Sequence, residues 1–360
     1  MKIQVTSGFS LIKKCFTRLT ILFFSYLSVT ACENSSTTSS SNENAILVES
    51  KSRTTYIEVY NEEGQSLIDT FVNVDTLAEG FNWSEGPLYI ADGNYLLFSD
   101  VPENRVYKWS ESEGIEVYLE PSGFTGEHNP NREIGSNGLL LSPAGELILL
   151  QHGDRRIAKM VSPISAPESV FATLADNYQG KRLNSPNDAT LHSNGDLYFT
   201  DPPYGLDGLL EDPHKELVHQ GVYRLQPNGQ LDLLTTELRF PNGIALSPDQ
   251  KTLYVASSDG ANFIWMAYPV LEDGTLGEGK VFYDVNDQKG IHLGAPDGMK
   301  VNKAGYIFAT GPGGIWIFHP RGEILARIYT GQRTSNCALR SDEKYLFMTA
   351  DDYLMGVSLK

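Results

Sequence analysis

One unit recurs six times between Glu85 and the C-terminus, and it constrains the fold more than any other feature of the chain. Each copy opens on a small polar or acidic residue, usually followed by glycine: Glu85-Gly86, Asn137-Gly138, Asn187-Asp188, Asn242-Gly243, Asp297-Gly298 and Asn336-Cys337. Pro186, Pro241 and Pro296 precede three of them. A short strand follows each opening, then a turn: Asp92-Gly93, Ala144-Gly145, Asn194-Gly195, Asp249-Gln250, Ala304-Gly305 and Ser341-Asp342. Apolar strands come next, at Tyr95 to Phe98, Leu147 to Leu150, Leu197 to Thr200, Leu253 to Ala256, Tyr306 to Ala309 and Tyr345 to Thr349. Asn194-Gly195 is the clearest hairpin signal, read as a type I′ turn whose two central residues take positive φ. The openings lie 52, 50, 55, 55 and 39 residues apart. Self-similar units of about 40 to 50 residues built from short strands mark a propeller. The expectation is an all-β chain, a six-bladed β-propeller.

Further strands complete the blades. Arg105 to Trp109, Arg156 to Val161, Val222 to Leu225 and Ile315 to His319 fit third strands. Glu116 to Leu119, Leu231 to Leu234, Val281 to Val285 and Ile324 to Tyr329 fit fourth strands. The last repeat is short and ends in Gly356 to Lys360, so its fourth strand is expected from the N-terminal side, from Thr55 to Tyr60 or Ser66 to Val72. Closing the ring in this way hides two sheet edges.

The front of the chain reads as targeting sequence. Residues 1–31 form a signal peptide, with a basic stretch ending at Arg18 and an apolar run over about Leu19 to Val29, too short for a stable membrane span. Val29-Thr30-Ala31-Cys32 resembles a bacterial lipoprotein box with Cys32 lipidated. Residues 32–50, rich in Ser, Thr and Asn, form a flexible tether, and 51–360 the propeller domain. The expected protein is exported to the cell envelope, either membrane-anchored through its lipid or periplasmic, and is a monomer or weak dimer. Cys337 would stand alone in the mature domain, so no disulfide is expected there. The formal net charge of −17 becomes −21 when Lys2, Lys13, Lys14 and Arg18 leave with the signal. A surface so acidic excludes nucleic-acid binding, which needs a basic footprint.

Four motifs occur in order: WSEGPLY, NSPNDATLHSNGDLYFTDPPYGL, FPNGIALSPD and GAPDGMKV. Together they resemble the gluconolactonase/regucalcin (senescence-marker protein) family, from about Asp75 to the C-terminus, and the second motif is most similar to bacterial gluconolactonases. The resemblance implies a six-bladed propeller with a divalent metal, usually calcium, in the channel. It also implies hydrolysis of sugar lactones or, in some relatives, of other esters and phosphoesters.

In a propeller the innermost strand of each blade lines the channel, so the six opening residues can form a ring at its mouth. Glu85, Asn137, Asn187, Asn242, Asp297 and Asn336 are all oxygen donors, which suit hard cations such as calcium or magnesium. The resemblance selects Glu85, Asn187, Asn242 and Asp297 as ligands of calcium, with magnesium, manganese or zinc as alternatives. Tight turns alone would explain Asn-Gly and Asp-Gly; Glu85 has no such turn advantage and is the most telling member. The mechanism that follows has the metal polarise the lactone carbonyl while Asp297 acts as general base on water, or a metal-activated water attacks. No Gly-x-Ser-x-Gly motif occurs, which argues against an acyl-enzyme.

Asn137, His152, Asp201, Tyr204 and His292 are the candidate substrate contacts, with Asp201 and Tyr204 also candidates for a second metal, and with Arg155 and Arg156 as weaker ones. Phe124 to Gly135 and Leu206 to His219 are candidate rim loops. Some family members place an arginine two residues before the equivalent of Asn187; here Ser185 stands there, with Arg182 nearby. The leading reading is a metal-dependent hydrolase that opens a sugar lactone, an aldonolactone of the gluconolactone type. The alternatives keep the site for other lactones, aryl esters or organophosphorus esters, or leave a non-catalytic binding propeller with a structural calcium.

Overall fold

The computed structural model describes residues 54–127, 131 and 133–360. The signal peptide, Cys32, Cys15 and the tether lie outside the described residues. Within them the chain is a six-bladed β-propeller. Four blades are four consecutive antiparallel strands each, running outward from the channel. Blade one has Ser84–Ile90, Tyr95–Asp100, Arg105–Ser110 and Gly114–Leu119. Blade two has Ser136–Leu141, Leu147–Gln151, Arg156–Met160 and Phe171–Ala175. Blade three has Ala189–Leu191, Leu197–Asp201, Gly221–Leu225 and Leu231–Thr235, and blade four has Pro241–Leu246, Thr252–Asp259, Asn262–Pro269 and Lys280–Asp284. Each innermost strand neighbours the next, and that of blade six, Thr334–Leu339, returns to that of blade one.

Six hydrophobic clusters fill the six junctions between blades. A strand with both faces buried must be apolar without alternation, as Leu96-Leu97-Phe98 is. Leu97 points into the cluster shared with blade two, and Leu96 and Phe98 into the one shared with blade six. That accounts for the unbroken apolar runs and makes each blade depend on its neighbours. Truncating such a leucine to alanine costs roughly 2–5 kcal/mol.

Closure uses the N-terminal side of the chain, with a different segment from either one expected. Asp75–Glu79 supplies the outer strand of blade six, paired antiparallel with Tyr353–Ser358. Tyr56–Val59 instead adds a fifth strand to blade five, against Ile324–Tyr329, with Tyr56 stacked on Tyr329 at 4.0 Å. Ser66 to Val72 is not a strand. It covers the end of a short helix, Glu62–Leu67, whose first turn is capped by the Asn61 side chain accepting from Gly64 N at 2.8 Å. Ile57 and Ile68 both enter the cluster between blades five and six, so the chain is committed there before it reaches Asp75. The hairpin at Asn194-Gly195 is present, but its turn is not type I′. Only Gly195 takes positive φ, and His192 and Asp196 close a three-residue loop, with His192 N donating to Asp196 O at 2.9 Å.

Candidate metal centre and substrate cavity

The six opening residues stand at the heads of the innermost strands, as the repeat implies. Glu85, Asn137, Asn187, Asn242 and Asn336 are buried, and Asp297 is half-buried. The glycines after them have a purpose beyond turning. A Cβ at Gly86 would lie 2.0 Å from Asn137 O, at Gly243 2.1 Å from Asp297 O, and at Gly298 2.0 Å from Asn336 Cγ. Each of these glycines lets the next blade's ring residue come in close, and of the four ring glycines only Gly86 has positive φ. Backbone bonds cross from blade to blade at the same level, Gly138 N to Asn187 O at 2.8 Å and Gly298 N to Ser335 O at 2.7 Å. Hydroxyls of the second strands reinforce them, Ser99 Oγ donating to Asn137 O and Thr200 Oγ1 to Asn242 O.

The ring side chains differ in what they have left to offer. Asn137 Oδ1, Asn242 Oδ1 and Asp297 Oδ1 are out of water and have no hydrogen-bond partner. Asn242 donates its Nδ2 to Ser258 Oγ at 2.8 Å, which fixes which end of the amide is the free oxygen. Ser258 Oγ in turn donates to Pro296 O. Asn336 has nothing to spare. Its Nδ2 donates to Glu85 Oε2 at 3.3 Å and Asp188 Oδ2 at 3.4 Å, and its Oδ1 accepts from Lys300 Nζ at 3.2 Å and Cys337 N at 2.9 Å. Sequence alone could not separate Asn336 from the other ring asparagines.

Burial, followed by the charge of Asp188, pushes the Glu85 carboxyl up to about 8, against the bond from Gly86 N. Burial, then the charges of Glu85 and Asp188, pushes Asp297 well above the usual carboxylate range. Buried acids raised by burial and by neighbouring carboxylates, in a ring that also carries unpartnered amide oxygens, form a site short of positive charge. Among the described residues no three His, Cys, Asp or Glu side chains make a metal cluster by themselves, so the amides are needed to complete one. A hard divalent cation would suit a donor set of carboxylate and amide oxygens such as this one.

A cavity of about 770 Å³ lies on the same side as the ring, walled by Trp83, Pro102, Glu133, Tyr204, Leu206 and Leu209. Both predicted rim loops contribute to it, and so does Tyr204. Burial, then the charge of Asp297, raises the Tyr204 phenol, which places it close to the ring. Trp83 was not among the expected contacts, although it begins the WSEGPLY motif. His152 is fully buried, with both ring nitrogens lacking hydrogen-bond partners and Nδ1 3.8 Å from Glu133 Oε2. Burial lowers its imidazole to about 3, so it is neutral.

Two of the candidate contacts have other partners. Asp201 is buried with both oxygens engaged by backbone, accepting from Asn184 N and Ser185 N at 2.8 Å each. It straps down the segment that leads to Asn187, as Asp100 does for Asn82 and Trp83 ahead of Glu85. His292 lines a separate cavity of about 320 Å³ with Tyr56, Ile291, Leu293 and Tyr329, because its loop turns outward before Asp297. The arginines are also structural. Arg155 donates to Leu183 O, Asn184 O and His214 O, and Arg156 to Gln151 and Asp154. Arg182 Nη2 donates to Asp154 O, and Ser185 Oγ joins Pro202 O to Gly205 N. Cys337 is buried and unpaired.

Residues 83–352 match the family model described as SMP-30/Gluconolactonase/LRE-like region. The chain is 41% identical over 304 residues to a gluconolactonase of Zymomonas mobilis, a match covering 82% of this chain and 83% of the relative. Among solved structures it resembles a gluconolactonase of Xanthomonas campestris, with a TM-score of 0.72 and 29% identity, over 85% of this chain and 95% of that one. A calcium-binding regucalcin from Agrobacterium tumefaciens shares the fold at a TM-score of 0.61 and 17% identity, over 80% of this chain and 95% of that one.

Proposed function

The chain belongs to the SMP-30/gluconolactonase family, and from that premise we propose that it is a metal-dependent hydrolase that opens a sugar lactone of the gluconolactone type. The observation that carries the metal reading is the trio of desolvated, unpartnered oxygens on Asn137, Asn242 and Asp297 beside the raised Glu85 carboxyl. Glu85, Asn187, Asn242 and Asp297 would hold a divalent cation, calcium by preference, which when bound would supply Lewis-acid polarisation of the lactone carbonyl. Asp297 takes the proton from the attacking water, since its Oδ1 is desolvated and unpartnered whereas Glu85, the other acid of the set, is held by Gly86 N and Asn336 Nδ2. Tyr204 and Trp83 wall the cavity and hold water away from the reacting face. Neutral His152, with Glu133 beside it, offers a donor and an acceptor to substrate hydroxyls.

The test follows acid release from glucono-1,5-lactone by the chelator-treated propeller, with and without calcium, magnesium, manganese or zinc. Metal-restored turnover that is lost in Asp297→Ala and Glu85→Ala is the expected result. Absence of any acceleration, with calcium still raising the melting temperature, would move the reading to a binding propeller. The apolar walls contributed by Trp83, Leu206 and Leu209 favour a second reading, a bulkier lactone or an aryl ester at the same site. We also propose export with lipidation at Cys32, tested by radiolabelled palmitate incorporation in the full chain and its loss in Cys32→Ala.

A further inference from the structure

Two positions in the channel break the sixfold pattern, and both carry charge. The residue after each ring member is Gly86, Gly138, Asp188, Gly243, Gly298 or Cys337. Only the third of these is ionisable as a carboxylate. The third residue after each ring member is Leu88, Leu140, Thr190, Ala245, Lys300 or Leu339. Five of the six are uncharged, so the tier beneath the ring does not need a lysine for packing. Lys300 lines a cavity of about 450 Å³ with Leu88, Leu140, Thr190 and Ala245, the apolar tier of the same inner strands.

The two exceptions are wired together. Lys300 Nζ donates to Met299 O at 3.0 Å and to Asn336 Oδ1 at 3.2 Å. The other end of the Asn336 amide donates to Asp188 Oδ2 and to Glu85 Oε2. The positive charge of Lys300 therefore acts through one amide on a buried carboxylate and on a proposed metal ligand. Glu133, the remaining acid near Asp297, has a side chain 38% exposed and is screened by water. With Glu85, Asp188 and Asp297 all deprotonated, the form a bound cation requires, and Lys300 charged, the inner channel carries two negative charges, the number that one divalent cation neutralises. Without Lys300 the channel would carry three.

We propose that Lys300 and Asp188, coupled through Asn336, set the charge of the channel so that the ring takes a divalent ion and discriminates against a trivalent one. Lys300 is in this sense a fixed cation one tier below the exchangeable one, and a positioning residue for Glu85. The proposal rests on the divalent-metal reading of the ring. It assigns Lys300 and Asp188 a part that neither the ligand set nor the general base covers.

The test measures calcium and terbium dissociation constants of four proteins: the unaltered chain, Lys300→Met, Asp188→Asn and the double variant. Calcium is followed by calorimetry and terbium by luminescence sensitised through Trp83 and Tyr204. Even at the screened dielectric of a partly solvated site, a unit charge one amide away from the ring changes the affinity for a divalent ion by at least about tenfold. Lys300→Met should bind calcium at least about tenfold more tightly, with terbium gaining more than calcium. Asp188→Asn should bind calcium at least about tenfold more weakly. The double variant, back at two negative charges, should return to within about threefold of the unaltered chain, and Lys300→Arg should match it. A merely structural role would weaken binding in both single variants and worsen it in the double. That result, or four equal constants, overturns the proposal while leaving the metal reading in place. Failure of the unaltered chain to bind either ion overturns the metal reading and the proposal with it. If Lys300→Met does not fold, the double variant decides the matter: calcium affinity recovered relative to Asp188→Asn supports the proposal, and affinity equal to or weaker than that of Asp188→Asn overturns it.

Discussion

Chelation should make this protein's stability and its metal affinity depend on pH in opposite directions. The perturbation is removal of the cation, and the group that reports it is Glu85. In the metal-free channel its carboxyl is raised from 4.5 to about 8, by burial first and then by Asp188. A carboxyl raised on folding binds its proton more tightly in the folded chain than in the unfolded one. Its contribution to stability is therefore complete below about pH 4.5 and is lost as pH rises through about 8. The displacement corresponds to roughly 5 kcal/mol as an upper bound from this group, spent at about 1.4 kcal/mol per pH unit. For a domain of this size that is about 2–4 °C of melting temperature per pH unit. Binding a cation at the ring must expel the same proton, so the apparent calcium affinity should rise about tenfold per pH unit between pH 6 and 8 and then level off. Asp297, also raised, adds to both trends in the same sense. The assay pairs thermal melts in chelator from pH 5.5 to 8.5 with calorimetric calcium titrations at pH 7 in two buffers of different ionisation enthalpy. The second measurement counts released protons directly. About one proton or more per calcium is expected, falling by about one in Glu85→Gln. Zero protons at pH 7, with a flat affinity from pH 6 to 8, would refute the electrostatic account of the ring.

Two further outcomes follow from the geometry. Gly243→Ala places a Cβ 2.1 Å from Asp297 O, where backbone cannot yield; it should cost about 1–3 kcal/mol and lower calcium affinity, whereas Gly260→Ala, with nothing within 4 Å, should stay within about 0.5 kcal/mol by thermal melt. Asp201→Asn should lower the melting temperature by leaving a buried backbone N–H short of its acceptor, at about 1–3 kcal/mol; a raised KM at unchanged stability would instead mean that Asp201 touches substrate.

Much of the fold was legible because the repeat is local. Turn, strand and hairpin each depend on residues a few positions apart, and their recurrence at near-constant spacing leaves few architectures. Where the local signal was weak the reading thinned. Asn262–Pro269 and Phe171–Ala175 were not assigned as strands, and the closing strand was placed on Thr55 to Tyr60 or Ser66 to Val72 when it is Asp75–Glu79. Strand character at Tyr56–Val59 was readable, but which sheet it joins depends on Tyr329 and the apolar floor between blades five and six.

The site divides along the same line. The sequence by itself determined the ring of oxygen donors, because each donor sits at a fixed place in its own repeat. It offered Tyr204 and the two rim loops only as candidates, since a strand end can face the channel mouth as readily as solvent. Tertiary structure alone decided which ring side chains have hydrogen-bond partners. Asn336 is consumed by Glu85, Asp188 and Lys300, which come from three other blades, while Asn137 and Asn242 keep an unpartnered oxygen. It likewise turned Asp201 inward onto backbone and His292 outward into another cavity. The physical reason is range. A repeat sets the direction of its own side chains through bonds a few residues long, but the partners that satisfy or strand a buried polar group arrive from other blades, as Glu85 and Asn336 do across 251 residues.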